Sequence, residues 1–213
     1  EIIAAGGQAV ACVGSVTEDG FAEKFIDCAV EKFGTLDILV NNAGYTWDSM
    51  IHKASDEQFD AMYAIHLKVP FQMNRAFTRA VMPVAKQEAA DGIETFRKIV
   101  NISSIAGECG NVGQINYSSM KAGLSGMTKT LSKELGRHKV NVNSVAFGMI
   151  ETRLTEATDV KKTITVDGNE VAVGIPQKHH DGMSKAIPLG RAGTAAEAAD
   201  SIYLFCCPES NYV

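Results

Sequence analysis

Apolar and polar positions follow two rhythms along this chain of 213 residues, and the changes between them mark its elements. Short apolar runs recur at Gln8–Val13 (QAVACV), Leu36–Val40 (LDILV), Lys98–Ser103 (KIVNIS) and Val140–Ala146 (VNVNSVA), each the length of a buried strand. Between them the spacing turns helical. Thr17 is the expected N-cap of a helix running to Phe33, with Phe21, Phe25 and Ala29 on one face and Gly34 just past its end. Ser55 and Gln58 make a capping box that opens a helical region to about Ala90, kinked by Pro70 and broken at Asp91-Gly92. Tyr117–Leu135 is a helix closed by Gly136, and Thr194 with Glu197 caps a helix expected to reach Pro208. Glu1–Ala5 reads as the end of a helix stopped by Gly6-Gly7.

Strand and helix alternate four times without hairpin spacing, which predicts parallel βαβ units. Right-handed crossovers then place helices on both faces of a Rossmann-like, doubly wound α/β sheet, a single domain over 1–213. Ligands of such sheets bind outside the carboxyl ends of the strands. Ser15, Asn41–Gly44, Ser103-Ser104 and Phe147-Gly148 all fall there. Ile164–Val173 (ITVDGNEVAV) breaks the rhythm: it alternates around Asp167-Gly168 and predicts an inserted antiparallel hairpin near the same rim. It is either a cover over a pocket or a surface ornament.

Composition narrows the function. A chain 46% hydrophobic and 21% charged is long enough to bury a full core. A net charge of −5, a pI of 5.6 and the lack of a Lys/Arg cluster argue against a nucleic-acid partner. No run of 18 apolar residues offers a membrane span, and no signal peptide is visible. The five cysteines show no CxxC or Cys/His spacing, so no metal site is expected and the reading is a reduced, cytoplasmic protein. Cys206-Cys207 are expected to pack within a helix.

The chemistry concentrates in Ile99–Lys121. An apolar strand ends in serines, a Gly-rich loop follows, and Tyr117 and Lys121 then sit four apart, stacked on one helical face. An ammonium beside a phenol favours the phenolate and pulls its pKa down from about 10, making Tyr117 a proton donor and acceptor near neutral pH.

Together, Asn41-Asn42-Ala43-Gly44, the Ser104…Tyr117-x-x-x-Lys121 set and Ile187-Pro-Leu-Gly-Arg191 resemble the classical short-chain dehydrogenase/reductases, most nearly the 3-oxoacyl-[acyl-carrier-protein] reductase type. The resemblance implies an oxidoreductase using NADP or NAD, with NADPH favoured, acting on a small carbonyl, alcohol or acyl thioester, the 3-oxoacyl thioester foremost. It implies Tyr117 as general acid/base, Lys121 as the residue that lowers its pKa and holds the nicotinamide ribose, and Ser104 as the hydroxyl that binds the carbonyl. Asn41, Ala43 and Gly44 match the loop beside the adenosine ribose, where Gly44 would let backbone approach a ligand. Gly148, Ile150 and Thr152 match the nicotinamide contacts, and Gln114 would line the substrate pocket. Ser15, beside Val16, stands where the family usually places an aspartate against adenine. Phe147 stands in place of a proline. His66 occupies the position of the family's fourth catalytic residue, an asparagine whose main-chain carbonyl holds a relay water. Either that carbonyl or the imidazole itself, with a pKa near 6.5, would serve, or His66 is a core histidine. The family's opening strand and TGxxxGxG turn are missing, as is its last strand, so the resemblance implies an incomplete domain. The alternative function is a non-catalytic nucleotide-binding or scaffolding relative.

Ala122, Gly123, Gly126 and Ser118-Ser119 would allow close helix approach, with Phe71, Met73 and Phe77 available for contact. The resemblance implies a homotetramer or homodimer built on these helices.

Overall fold

Three of the four expected strands form, at Ile38–Asn41 (β1), Arg97–Ser104 (β2) and Val140–Phe147 (β3), all parallel and in the order β1-β2-β3. The computed structural model describes residues 1–160, 162–166 and 168–213. Strand β2 is central and buried from Arg97 to Ser103, as a strand covered on both faces must be. Asn41 pairs with Asn101 and Ser104 with Phe147, so the carboxyl ends share one rim.

Helices α1 (Phe21–Phe33), α2 (Asp56–Tyr63), α3 (Val69–Ala90), α4 (Ile105–Cys109) and α5 (Ile115–Leu135) flank the sheet. Phe21 and Ile26 of α1, Met73 and Phe77 of α3, Leu135 of α5 and Leu39, Ile99 and Val142 of the strands close one core. Both capping boxes are present, at Ser55 with Gln58 and at Thr194 with Glu197. Between α2 and α3, residues 64–68 form a single π turn, in which the Val69 N–H bonds the Ala64 carbonyl. Pro70 follows in the first turn of α3, where it has no N–H to offer the His66 carbonyl four residues back.

Several expectations are corrected. Gln8–Val13 forms no strand, because a strand exists through a neighbour's ladder and no described strand pairs with this segment. Glu1–Ala5 folds into turns, with the Ala5 N–H on the Glu1 carbonyl at 3.0 Å, since so short an exposed segment cannot sustain a helix. Helix α1 starts at Phe21 after Gly20 in the left-handed region, and the Thr17 hydroxyl pairs with that of Ser15 at 2.7 Å rather than capping. Phe25 is exposed, while Ala22 and Ile26 are buried beside Phe21. Met73 and Phe77 lie in the core, so they are not available to a second copy, and Gly123 is filled by Leu67 of its own chain. Phe71 remains exposed.

Beyond β3, Ile150–Glu151 (β4) pairs in parallel with Gly193–Thr194 (β7). Between them, Lys162–Val166 (β5) and Asn169–Val173 (β6) form the predicted hairpin, with Ile164 opposite Val171; Asp167 of its turn lies outside the described residues. Gln177–Ala186 (α6) follows, and Ala195–Leu204 (α7) ends four residues short of Pro208. Cys207, preceding that proline, is extended as such a residue must be. Cys206 and Cys207 therefore sit in a turn rather than a helix, and all five cysteines are free.

Candidate active site

A cleft of about 590 Å³ opens at the carboxyl rim, floored by the ends of β2 and β3, walled by α5 and the π turn, and roofed by β6 and α7. It brings together Gly44, His66, Ser104, Gln114, Tyr117 and Lys121 on one side. Gly148, Ile150 and Thr152 line the other. Ala172 and Gly174 of the hairpin segment also line it, so the hairpin is a cover and not an ornament. Ser15 and Val16 line a smaller cavity of about 220 Å³ that shares Gly44, Tyr45 and Leu154 with the first. Asn41 and Ala43 line neither. The Asn41 amide instead donates to the side-chain oxygens of Asn74 and Asn101, both at 2.8 Å, tying the rim together from behind.

Each polar group on the wall has a local reason for its place. Ser104 is the N-cap of α4, its Oγ accepting from the Ala106 N–H at 3.1 Å, and its hydroxyl lies in hydrogen-bonding reach of the Tyr117 phenol. Ser103 turns inward and donates to the Lys121 carbonyl at 3.2 Å, a satisfied strand-end serine. Asn116 fixes the start of α5: its Oδ1 accepts the Tyr117 N–H at 2.9 Å, and its Nδ2 donates to the Trp47 and Gln58 carbonyls at 3.1 Å. One turn on, Lys121 is buried, its Nζ 5.6 Å from the Tyr117 ring centre and donating to the Ile102 carbonyl at 2.6 Å.

The electrostatics differ from the sequence-based expectation. Burial pushes the Tyr117 phenol above its ordinary pKa, the Ser104 hydrogen bond opposes it, and the Asp48 carboxylate adds to the rise. Lys121 does not dominate, because its ammonium faces the ring and the Ile102 carbonyl rather than the phenol oxygen. Its own pKa is brought down to about 8 by burial.

His66 departs further. Burial and the neighbouring Lys121 charge bring its pKa down to about 3, so it is neutral near pH 7 and not poised to titrate. In that state Nε2–H donates to the Tyr45 carbonyl at 2.6 Å, and a proton path through the ring would end on a backbone oxygen. Nδ1 is then a buried acceptor without a partner in the structure. The ring stands edge-on to Tyr117, with centres 4.9 Å apart and planes at 88°. It also lies against Gly44, where a Cβ would come within 2.5 Å of His66 Cε1. The space at Gly44 is taken by this imidazole, not by an approaching ligand. Gly148, by contrast, faces open space.

Sequence reasoning missed Asp48 of the rim and Ala198, Ala199 and Ile202 of the roof. The small residues of α7 carried a faint signal, since a row of alanines leaves room at a helix face; Asp48 carried none.

Known proteins can now be set beside this geometry. Residues 1–163 match the short chain dehydrogenase family. The chain is 36% identical over 200 residues to the 3-oxoacyl-[acyl-carrier-protein] reductase FabG of Thermotoga maritima, covering 93% of this chain and 70% of that one. It is 34% identical over 214 residues to the 3-oxoacyl-[acyl-carrier-protein] reductase of Synechocystis, covering 100% of this chain and 74% of that one. The chain belongs to the short-chain dehydrogenase/reductase family. A crystal structure of a short chain dehydrogenase from Mycobacterium avium superposes with a TM-score of 0.61 at 43% identity, over 68% of this chain and 50% of that one. As a short-chain dehydrogenase with a Rossmann-like parallel sheet flanked by helices, the protein is an NAD(P)-dependent oxidoreductase.

Among the described residues, no cluster of His, Cys, Asp or Glu could hold a metal and no helix is long and apolar enough to cross a membrane.

Proposed function

We propose that this short-chain dehydrogenase reduces the keto group of a 3-oxoacyl thioester with NADPH, with Tyr117 as the acid/base. The observation that carries this reading is the wall itself: the Ser104 hydroxyl against the Tyr117 phenol, with the buried Lys121 ammonium one turn away. The cleft suits a nicotinamide nucleotide. Its volume falls in the range of about 300–1,000 Å³ usual for small-molecule sites, Gly148 leaves a Cβ-sized space open, and Lys121 has two N–H groups beyond the one on Ile102. Lys121, Gly148, Ile150 and Thr152 would hold the nicotinamide half. Ser15, Val16 and Gly44 would line the adenosine side, with Asn41 and Ala43 shaping the rim. When bound, the nucleotide supplies a hydride.

The chain's own residues supply the rest. Ser104 hydrogen-bonds the substrate carbonyl oxygen and polarises it. Tyr117 donates its phenolic proton to that oxygen as negative charge develops, and the buried Lys121 ammonium one turn away would favour the phenolate once it turns from the Ile102 carbonyl toward the phenol oxygen. The raised pKa keeps the phenol protonated before reaction, which suits a proton donor. The His66 contribution is its main-chain carbonyl, which lacks the Pro70 donor and can hold a water leading toward Lys121. Gln114 contacts the substrate at the mouth. The 3-oxoacyl thioester and NADPH are supported by the relatives named 3-oxoacyl-[acyl-carrier-protein] reductase. Residues 1–213 belong to one dinucleotide-binding and catalytic domain, in the cytoplasm, as a homotetramer or homodimer.

Tyr117→Phe tests the assignment. Losing a positioned acid/base typically costs about 10²–10⁴ in rate, so consumption of reduced cofactor with an acetoacetyl thioester is expected to drop by that factor. Cofactor affinity should stay within a few fold. Turnover close to the parent's would overturn the reading.

A further inference from the structure

We infer that Asp48 is a specificity-determining residue, whose carboxylate at the cleft mouth admits a neutral, esterified 3-oxoacyl group and turns away the free 3-oxo acid. The inference rests on the reductase reading above and adds to it the residue that selects the esterified substrate.

Asp48 is held in place by three tethers between its loop and the start of α5. The Trp47 carbonyl accepts from Asn116 Nδ2 at 3.1 Å. The Ser49 N–H donates to the Gly113 carbonyl at 2.8 Å, and Ser49 bridges to Gln114. Between these, Asp48 Oδ2 accepts from Gln114 Nε2 at 2.8 Å. The loop thus runs beside the turn that carries Tyr117, and Asp48 and Tyr117 line the same cleft.

The hydrogen bonds also fix the sign of what the mouth presents. Asn111 Nδ2 donates to Gln114 Oε1 at 2.8 Å, so the Gln114 acceptor is occupied and its donor is turned to Asp48. Thr46 is a second neutral side chain that acts on the same carboxylate. Both partners are neutral, and among the described residues no cation pairs with Asp48. Desolvation at the rim raises the Asp48 pKa above the ordinary carboxylate value, and the neighbouring Gln114 and Thr46 side chains oppose that rise. The charge is felt inside the cleft, since it is one of the causes that raise the Tyr117 pKa.

A 3-oxo acid bound with its keto oxygen at Ser104 and Tyr117 carries its own carboxylate two carbons from the reacting centre. Two like charges within one partly desolvated site oppose each other strongly. Esterification removes the second charge and the repulsion with it.

Acetoacetate and methyl acetoacetate, compared in the full chain with reduced cofactor, isolate the charge. Asp48→Asn is expected to raise kcat/KM for acetoacetate about tenfold and to change the ester's by less than about threefold. Asp48→Glu, which keeps the charge, should keep the parent's preference. Added salt should relax the discrimination in the parent and not in Asp48→Asn. A readout without turnover accompanies it. The phenolate absorbance of Tyr117, taken as the difference from Tyr117→Phe, should rise at lower pH in Asp48→Asn than in the parent. An unchanged ester-to-acid ratio, or an unmoved titration, overturns the inference while leaving the reductase reading intact. No turnover of the ester in the parent removes the reductase reading and this inference with it.

Discussion

Strand β2 and helix α5 meet the cleft with side chains fixed from behind, while residues 149–204 meet it with a hairpin and short helices that bury little. On the first side Asn101 donates to Thr128 Oγ1 at 2.9 Å, Thr128 donates to the Leu124 carbonyl at 2.9 Å, and Leu124 is buried to 1% exposure. On the second, Val171 and Ala192 are the fully buried apolar residues among those described. The difference follows the division of labour. In the proposed reaction, proton transfer tolerates little displacement of its partners, and Ser104, Tyr117 and Lys121 hang on elements that cannot shift without opening a core. Admission of a substrate needs a surface that can part, and such surfaces come from the low-stability end of a fold.

The largest effect that would break this comparison concerns acid. His66, on the fixed side, has its pKa lowered to about 3 by burial and Lys121, against an ordinary 6.5. The unfolded chain takes up that proton below pH 6.5 and the native protein does not. Stability from this group is therefore complete above pH 6.5 and is lost progressively as pH falls from 6.5 toward 3. At about 1.4 kcal/mol per pH unit, denaturant unfolding at pH 4.5 should show a loss on the order of 3 kcal/mol relative to pH 7 from this residue. His66→Phe should flatten that dependence. An equal slope in the variant would mean that His66 is not held neutral by a rigid wall.

A smaller effect tests how tightly the wall is filled. Gly44→Ala drives a methyl group to 2.5 Å from His66 Cε1, and overpacking of this kind typically costs about 1–3 kcal/mol. Because the clash is with one ring, the same substitution in a His66→Ala background should cost close to nothing, a coupling measurable as a double-mutant cycle in thermal or denaturant unfolding. Additive costs would show that Gly44 is there for its backbone and not for the imidazole.

What the sequence made legible divides along the same line. The capping boxes at Ser55 and Thr194, the hairpin at residues 162–173 and the Tyr117–Lys121 face depend on hydrogen bonds and periodicities spanning a few residues, and all are found. Gln8–Val13 failed as a strand because strandness is a property of a pair, and no run of six residues encodes its neighbour. The direction of the Tyr117 shift was missed for a related reason. Spacing placed an ammonium near the ring, but burial and the distant Asp48 decide the sign. Asp48 reaches the site through tethers to Gly113, Gln114 and Asn116, more than sixty residues away in sequence.

The smallest effect bears on the cover. Val171, opposite Ile164 in the hairpin, is buried to 1% exposure, and Val171→Ala removes two methyl groups at a cost of about 1.6 kcal/mol. In the wall that loss would lower the global unfolding midpoint by several degrees. If the cover opens independently, the midpoint should stay within about a degree while limited proteolysis between β5 and β6 speeds up about fifteenfold, the factor that about 1.6 kcal/mol sets on a local opening equilibrium. Substrate KM should rise, because Ala172 and Gly174 line the cleft from this side, and cofactor affinity should fall with it, because Ile164 and Val166 of the same hairpin line the smaller cavity. A midpoint that falls with no change in local cleavage would make cover and wall one cooperative unit, and the catalytic residues would then share their rigidity with the surface that admits the substrate.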